Sequence, residues 1–257
     1  MNIVVCVKQV PDSAAKVAVE GGQVTWGDAP LVLNPWDEYA VEAALVQKEA
    51  SGAEVTVISV GGEGAKEALK TALAMGCGSA ILISDPGLAG ADSQVTAQAL
   101  AVAIQKVGDI GMVFFGRQAI DGDMGVTGAQ TAHILGWPML SLVSSIQPLD
   151  SGGVHVERSI EEGRQIVESN LPVALSVSKD IGEPRYPSFM GIRKASRATI
   201  PVWTLGDLAI SAPASVVRWP EVNNPPVREV TTEMITGDSP QEIAEKLADK
   251  ILGEKVL

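Results

Sequence analysis

Residues 111–132 read GMVFFGRQAIDGDMGVTGAQTA, and the change of character inside this stretch decides the fold. The opening GMVFF suits a strand buried on both faces, because no polar side chain alternates with the apolar ones. The chain then breaks into Gly116, Gly122, Gly125 and Gly128 with Asp121 and Asp123 between them, and a helical pattern runs from Thr127 to Leu135. A buried strand, a glycine-rich turn and a helix in that order form a βα unit. Ligands of open parallel sheets bind at such turns, where helix N-termini offer free amides and a positive dipole end to anions.

Three more apolar runs repeat the first half of this unit: NIVVCV at 2–7, EVTVISV at 54–60 and AILIS at 80–84. Helical patterns separate them. Residues 37–50 place Ala40, Val41, Ala44 and Leu45 on one stripe, with Asp37 expected as N-cap. Residues 64–76 end on glycine, and residues 92–108 open on an Asp-Ser cap and close on Lys106 and Gly108. Uniformly apolar strands alternating with helices predict an α/β fold with a doubly wound, mostly parallel sheet. After Pro138 the pattern changes. HVERSIE and GRQIVES flank Glu162-Gly163 as the arms of a hairpin insertion near 153–170, and PVALSVS at 172–178 is a further buried strand. Prolines 184, 187, 201, 213, 220, 225 and 226 then crowd the last third. That density predicts a body over 1–183, a connecting segment over 184–200 and an extended arm over 201–257, with a short helix at 239–252.

Composition narrows the function. Of the 257 residues 46% are hydrophobic and only 4% aromatic, as in an α/β protein built from Val, Ala, Leu and Ile. The formal net charge of −12 argues against nucleic acid as a partner, since phosphate backbones need basic patches. Docking onto basic protein surfaces is compatible with it. No apolar run reaches the roughly 20 residues of a membrane span, so no direct membrane insertion is expected. The chain starts on a strand-like run, and Cys6 and Cys77 stand apart without metal-ligand spacing. A cytoplasmic location without a leader segment, with reduced thiols, follows as the expectation.

The catalytic inventory is thin. His133 sits in a helical pattern and His155 on a hairpin arm, and there is no G-x-S-x-G, H-E-x-x-H or C-x-x-C motif. The dinucleotide fingerprint is missing after the first strand, where VCVK leads into QVPDS. No acid, base and nucleophile set emerges, so binding rather than catalysis is expected. Two further turns converge on the rim marked by 116–128: LNPWDEYA at 33–40 and SVGGEGA at 59–65. Together the three turns describe a nucleotide pocket. Thr127 can cap its helix or bond a phosphate oxygen, while Asp121 and Asp123 suit ribose hydroxyls or backbone amides. From 116–128 alone an ordinary glycine-rich turn with aspartate caps reads equally well, as does core packing for Trp36.

Taken together, VCVKQVPD, LNPWDEYAVEAAL, KTALAMGC, GRQAIDGD…TG, LGWP and EPRYPSFMGIRKAS make nearly the whole chain resemble the β (small) subunits of electron-transfer flavoproteins. The resemblance implies a Rossmann-like, adenine-nucleotide α-hydrolase-like fold. It also implies a heterodimer with an α subunit that carries FAD at the interface, and an electron carrier rather than an enzyme. By motif, the nucleotide site falls on Cys6, on Asn34, Pro35, Trp36 and Asp37, on Val60, and on the rim turn. In that turn it takes in Gly116, Arg117, Gln118, Ala119, Ile120, Asp121, Gly122, Asp123, Met124, Gly125, Val126 and Thr127. Partner docking falls on Tyr186, Pro187, Ser188, Phe189, Met190, Gly191, Ile192, Arg193 and Lys194. Many relatives carry a leucine anchor where this chain has Phe189, and a proline or arginine where it has Met190.

The pocket turn is mixed: D-G-D-M-G-V-T-G shares Gly122 with bifurcating relatives, which favour D-G-D-T-A-Q-V-G, and Thr127 with AMP-binding ones. AMP held structurally in this subunit is the expectation, with a second FAD and electron bifurcation from NADH as the alternative. A stand-alone adenine-nucleotide sensor is the third reading. The expected role is to pass electrons from flavin dehydrogenases, in fatty acid oxidation the acyl-CoA dehydrogenases, toward a quinone reductase. The arm would wrap the α subunit and bury Val202, Trp203, Leu205 and Trp219 there.

Overall fold

The structure, a computed structural model, describes residues 1–148, 152–211, 214–227 and 231–254. It divides into two compact units, Met1–Val222 and Asn223–Leu257. In the first unit β1 (Asn2–Cys6), β2 (Gln9–Pro11), β3 (Ala18–Glu20), β4 (Gln23–Thr25) and β5 (Leu31–Leu33) precede α1 (Pro35–Ser51). Then β6 (Glu54–Val60), α2 (Lys66–Met75), β7 (Ser79–Ile83), α3 (Ser93–Val107), β8 (Ile110–Phe115) and α4 (Thr127–Leu135) alternate as the hydrophobic pattern requires. Next come β9 (Met139–Pro148), β10 (Gly153–Ile160), β11 (Gly163–Asn170), β12 (Val173–Val177), α5 (Phe189–Ala195) and β13 (Val202–Trp203).

Nine of these strands form one sheet in the order β11-β10-β9-β12-β8-β1-β6-β7-β13. Pairing is parallel from β9 through to β13, and antiparallel where β10 meets β9 and β11. This is the doubly wound, mostly parallel α/β sheet expected. The hairpin arms read around Glu162-Gly163 are β10 and β11, which extend the main sheet through β9. The short segments of 9–33 lie outside it: β2 pairs β5 and β3 pairs β4.

The period of two along the strands sorts side chains to two cores. Ile3, Val5, Val57, Leu82, Phe114 and Leu175 face α1 and α2, while Val4, Cys6, Ile58, Ile83, Val113 and Ala174 face α3 and α4. Burial on both faces explains why these strands carry no polar alternation.

One boundary differs from the sequence expectation. The segment that begins the proline-rich third is not an arm at its start. Val202 and Trp203 pair with Leu82 and Ile83 as the sheet's edge strand, and Pro201 and Trp203 carbonyls accept from the amides of Leu82 and Ser84 at 3.0 and 2.9 Å. Leu205 and Leu208 are buried in the body, and Leu205 N–H donates to Asp85 Oδ2 at 3.1 Å. Val202, Trp203 and Leu205 therefore spend their apolar surface within this chain, and only Trp219 of that set is exposed. The physical reason is that Pro201 sits just before an edge strand, where a missing N–H breaks no ladder. Lys106 adds a cation–π contact 4.6 Å from the Trp203 ring and donates to the Asp207 carbonyl at 2.5 Å.

In the second unit, α6 (Pro240–Gly253) opens as its sequence predicts. Ser239 accepts from the Glu242 N–H at 3.2 Å and Glu242 reaches back to the Asp238 N–H at 2.8 Å. Pro213, counted toward the arm, lies outside the described residues.

Because Leu205 is a core residue, Leu205→Ala is expected to lower stability in urea unfolding of the full chain by about 2–5 kcal/mol. A residue of a solvated arm would show no change.

Candidate functional site

The chain leaves β1, builds outward through β6 and β7, and then returns to β8 on the other side of β1. The carboxyl ends of β1 and β8 therefore lead away from each other, which makes the switch point at which open α/β sheets bind ligands. A cavity of about 750 Å³ opens there. Its walls are Cys6 to Lys8 after β1, Val60 to Gly62 after β6, the loop from Ser84 to Ser93 after β7, and the turn after β8.

Most of the expected site residues meet in this cavity. Cys6, Asp37, Val60, Gly116, Arg117, Gln118, Ala119 and Asp121 through Thr127 line it. Asn34, Pro35, Trp36 and Ile120 do not line it; at least Asn34 and Trp36 have structural work instead. Asn34 is fully buried. Its Nδ2 donates to the Gln118 carbonyl at 2.8 Å and its Oδ1 accepts from the Ile120 N–H at 3.2 Å, stitching the entry of α1 to the rim turn. Trp36 packs against Tyr39, with ring centroids 6.3 Å apart, and carries the Arg117 guanidinium 5.6 Å from its ring centroid.

Asp37 is buried in the first turn of α1 rather than capping it; Asn34 holds the N-cap position and Pro35 follows. Its Oδ2 accepts from the Lys8 backbone N–H at 2.7 Å. Gly116 comes so close that a Cβ there would lie 2.3 Å from Asp37 Oδ1 and 2.7 Å from the Trp36 carbonyl oxygen. Glycine alone permits that approach. Burial raises the Asp37 carboxyl to about 7, against the opposing pull of its bonds to Lys8, Asn34 and Gly116. Burial foremost, and the neighbouring Asp37 second, also push the Cys6 thiol well above its ordinary value. Cys77, buried elsewhere, is pushed up to about 12 for the first of these reasons. Neither thiol is poised as a nucleophile.

The two rim aspartates are engaged by side chains. Lys8 Nζ donates to both Asp121 oxygens at 2.7 and 2.6 Å, and the Gln118 amide donates to Asp123 Oδ1. Pairing with Lys8 offsets the repulsion that Asp121 would exert on an anion nearby. Helices α1, α3 and α4 begin at this cavity, and the starts of α3 and α4 differ. Asp92 closes the start of α3, its Oδ1 accepting from Val95 N–H at 2.9 Å. The start of α4 has no side-chain cap: Val126 holds the N-cap position, and Thr127 begins the helix instead of capping it. Its free amides suit an anionic group.

Sequence reasoning missed Lys8, the Ser84–Ser93 loop, Val217 and Trp219 as lining residues. The Asp-Ser cap at 92–93 was the signal that marked a helix start after a strand. Nothing in the residues tied Val217 or Trp219 to the rim.

A second feature lies on α5. Ser188 caps it by accepting from the Gly191 N–H at 2.9 Å, and a Cβ on Gly191 would lie 2.2 Å from the Ala74 carbonyl oxygen of α2. That contact and buried Ala195 turn the other face outward: Tyr186 is 94% exposed and Phe189 80%, with Met190, Ile192, Arg193 and Lys194 exposed beside them. Arg185 fixes the approach to this helix. It grips Glu42 through Nε and Nη2, both at 2.8 Å, and Glu49 through Nη1 at 2.5 Å.

The cavity thus offers an open helix start and a mostly apolar wall. Among the described residues no group of three or more His, Cys, Asp or Glu is arranged to hold a metal, and no helix is long and apolar enough to cross a membrane.

Asp37 gives a pH signature. Its ordinary value is 3.8 and its folded value about 7, so between these the folded chain keeps a proton that the unfolded chain has released. The stabilisation is complete below about pH 4 and is lost as pH rises through 7. Relative to Asp37→Asn, which keeps an acceptor for Lys8, the unmodified chain is expected to lose up to about 4 kcal/mol across that window. Urea unfolding of both chains at stepped pH reads the difference. Parallel curves would refute the buried-acid assignment.

The profile of the Electron transfer flavoprotein domain matches residues 24–208. The chain is 37% identical, over the full length of both proteins, to the caffeyl-CoA reductase-Etf complex subunit CarD of Acetobacterium woodii. It is 40% identical to the electron transfer flavoprotein subunit beta of Clostridium acetobutylicum over 82% of this chain and 81% of that one. Protein FixA of Azorhizobium caulinodans is 36% identical over 82% of this chain and 77% of its own. With these likenesses over most of its length, the chain belongs to the electron transfer flavoprotein family, among its β subunits.

Proposed function

We propose that this chain is the β subunit of a heterodimeric electron carrier, with an adenine nucleotide held in the switch-point cavity. The observation that carries the reading is the rim itself: an open α4 start, the close approach of Gly116 to the first turn of α1, and Lys8 on Asp121. A nucleotide phosphate sits at the free amides of residues 126–128, and its adenosine lies along Cys6, Asp37 and Val60. AMP in this structural role needs one anion site, and the uncapped start of α4 offers it. FAD bound at the α-subunit interface supplies the redox chemistry of the complex. Residues of this chain contribute binding and orientation, not proton transfer.

The exposed face of α5 docks the electron donors. Phe189 serves as the apolar anchor and Met190 as its neighbour, while Arg193 and Lys194 flank them. Donors are flavin dehydrogenases acting on CoA thioesters, acyl-CoA dehydrogenases among them, and a quinone reductase accepts the electrons. The name of the relative CarD, a subunit of a caffeyl-CoA reductase-Etf complex, supports a CoA-thioester flavoenzyme as partner. The second unit, Asn223–Leu257, wraps the α subunit. A second reading places FAD in the cavity and makes the complex an electron bifurcator. The volume of about 750 Å³ favours it, because that exceeds what a mononucleotide fills.

Two experiments test the proposal. Co-expression with a candidate α subunit, followed by nucleotide extraction and mass spectrometry, is expected to yield FAD and AMP in equal amounts. FAD alone, two per heterodimer, would establish the second reading, and a soluble monomer free of nucleotide would overturn both. Phe189→Ala is expected to lower kcat/KM for transfer from the dehydrogenase by about 10–100-fold with nucleotide content unchanged. An unaltered rate would remove α5 as the docking element.

A further inference from the structure

The nucleotide cavity has a wall that the family resemblance did not place there. Val217 and Trp219 line it, although they lie some 90 residues beyond the rim turn in sequence. A specific set of bonds brings them. Asp92, which caps α3 through Oδ1, uses its other oxygen for the strap: Oδ2 accepts from the N–H of Val216 at 2.7 Å and of Val217 at 3.0 Å. The Asp92 backbone N–H in turn donates to Ser215 Oγ at 3.2 Å. One carboxylate thus does two tasks with two oxygens, and the second task is to hang the segment 215–219 at the cavity. Trp219 follows two residues on, borders the cavity and remains 75% exposed. An indole ring at the mouth of a mostly apolar pocket, with most of its surface unburied, offers a stacking face to a flat ring in the cavity.

We infer that Trp219 is a nucleotide-contacting residue, stacking on the aromatic ring of the ligand in the switch-point cavity, and that Asp92 is the positioning residue that holds it there. The inference rests on the adenine-nucleotide reading of that cavity and goes beyond it by naming a wall outside the glycine turns. The ligand class is a nucleotide with an aromatic base or flavin ring. Phosphate alone gains nothing from Trp219, because the free amides of α4 are what receive it.

Two substitutions separate the parts. Trp219→Ala removes the ring from an exposed position and leaves the fold intact. Asp92→Asn keeps Oδ1 for the Val95 cap but replaces the strap's acceptor with an amide donor, so the strap is released while α3 stays capped. Nucleotide-stripped heterodimer is titrated with AMP and with FAD by calorimetry, and the Trp219 emission is taken as the difference between the native complex and Trp219→Phe. For whichever of the two nucleotides binds, affinity is expected to fall about tenfold in Trp219→Ala, and less in Asp92→Asn. Trp219→Phe should recover most of the loss, and nucleotide addition should quench the Trp219 emission. Inorganic phosphate should bind alike to all variants. Should nucleotide bind with native affinity to Trp219→Ala and leave the Trp219 emission of the native complex unchanged, the inference falls while the nucleotide reading stands. Should neither AMP nor FAD bind the native complex, the nucleotide reading falls and takes the inference with it.

Discussion

The structure turns on one close approach. At Gly116 the chain leaving β8 passes the first turn of α1 with no room for a Cβ, between Asp37 Oδ1 and the Trp36 carbonyl oxygen. Around that point the polar groups are matched: Asn34 holds Gln118 and Ile120, Asp37 holds the Lys8 amide, and Lys8 holds Asp121. Three chain segments, after β1, before α1 and after β8, are thereby fixed to one another at the switch point. Without that junction the rim would be three separate loops, and the cavity would have no set width. The junction also shows why a carboxyl group with a value near 7 is tolerated there: hydrogen bonds from Lys8, Asn34 and Gly116 offset part of its burial.

The parallel sheet was legible because buried strands and amphipathic helices leave opposite hydrophobic signatures, and four such alternations precede Pro138. The glycine turn was legible for the same reason that it works: glycines where backbone must approach closely are hard to mistake. Two things were not. The pairing of Val202 and Trp203 with β7 is decided by partners some 120 residues away, and a two-residue edge strand has no period to read. Proline density there pointed to an arm, whereas Pro201 stands at the one place in a sheet edge that accepts it. The segment 186–194 read as a loop, yet Ser188 caps a seven-residue helix from Phe189 to Ala195. A helix so short is stabilised by its seat on α2 through Gly191, which is tertiary information.

The site aspartates show the same division between composition and geometry. Sequence places Asp121 and Asp123 in the rim, where they suit ribose hydroxyls or backbone amides. The structure commits each to a side-chain donor, Lys8 and Gln118, so the acidic turn meets a ligand as a partly neutralised surface. That matters in a chain with a formal charge of −12, where an uncompensated acidic rim would oppose any nucleotide phosphate.

Helix α1 connects the two functional features of the body. Its first turn carries Asp37 at the cavity, and Glu42 and Glu49 on the same helix grip Arg185, which precedes the exposed segment 186–194. From Asp37 to Glu49 the helix advances about 18 Å. The Glu42–Arg185–Glu49 cluster is half-shielded and bidentate, the geometry in which an ion pair fixes direction rather than merely adding attraction. Both features are therefore referenced to one rigid element. A ligand that orders the Gly116–Asp37 junction orders the start of the helix from whose further turns the exposed Phe189 and Met190 are hung. Holding that distance constant is a contribution this fold can make to an electron-transfer subunit.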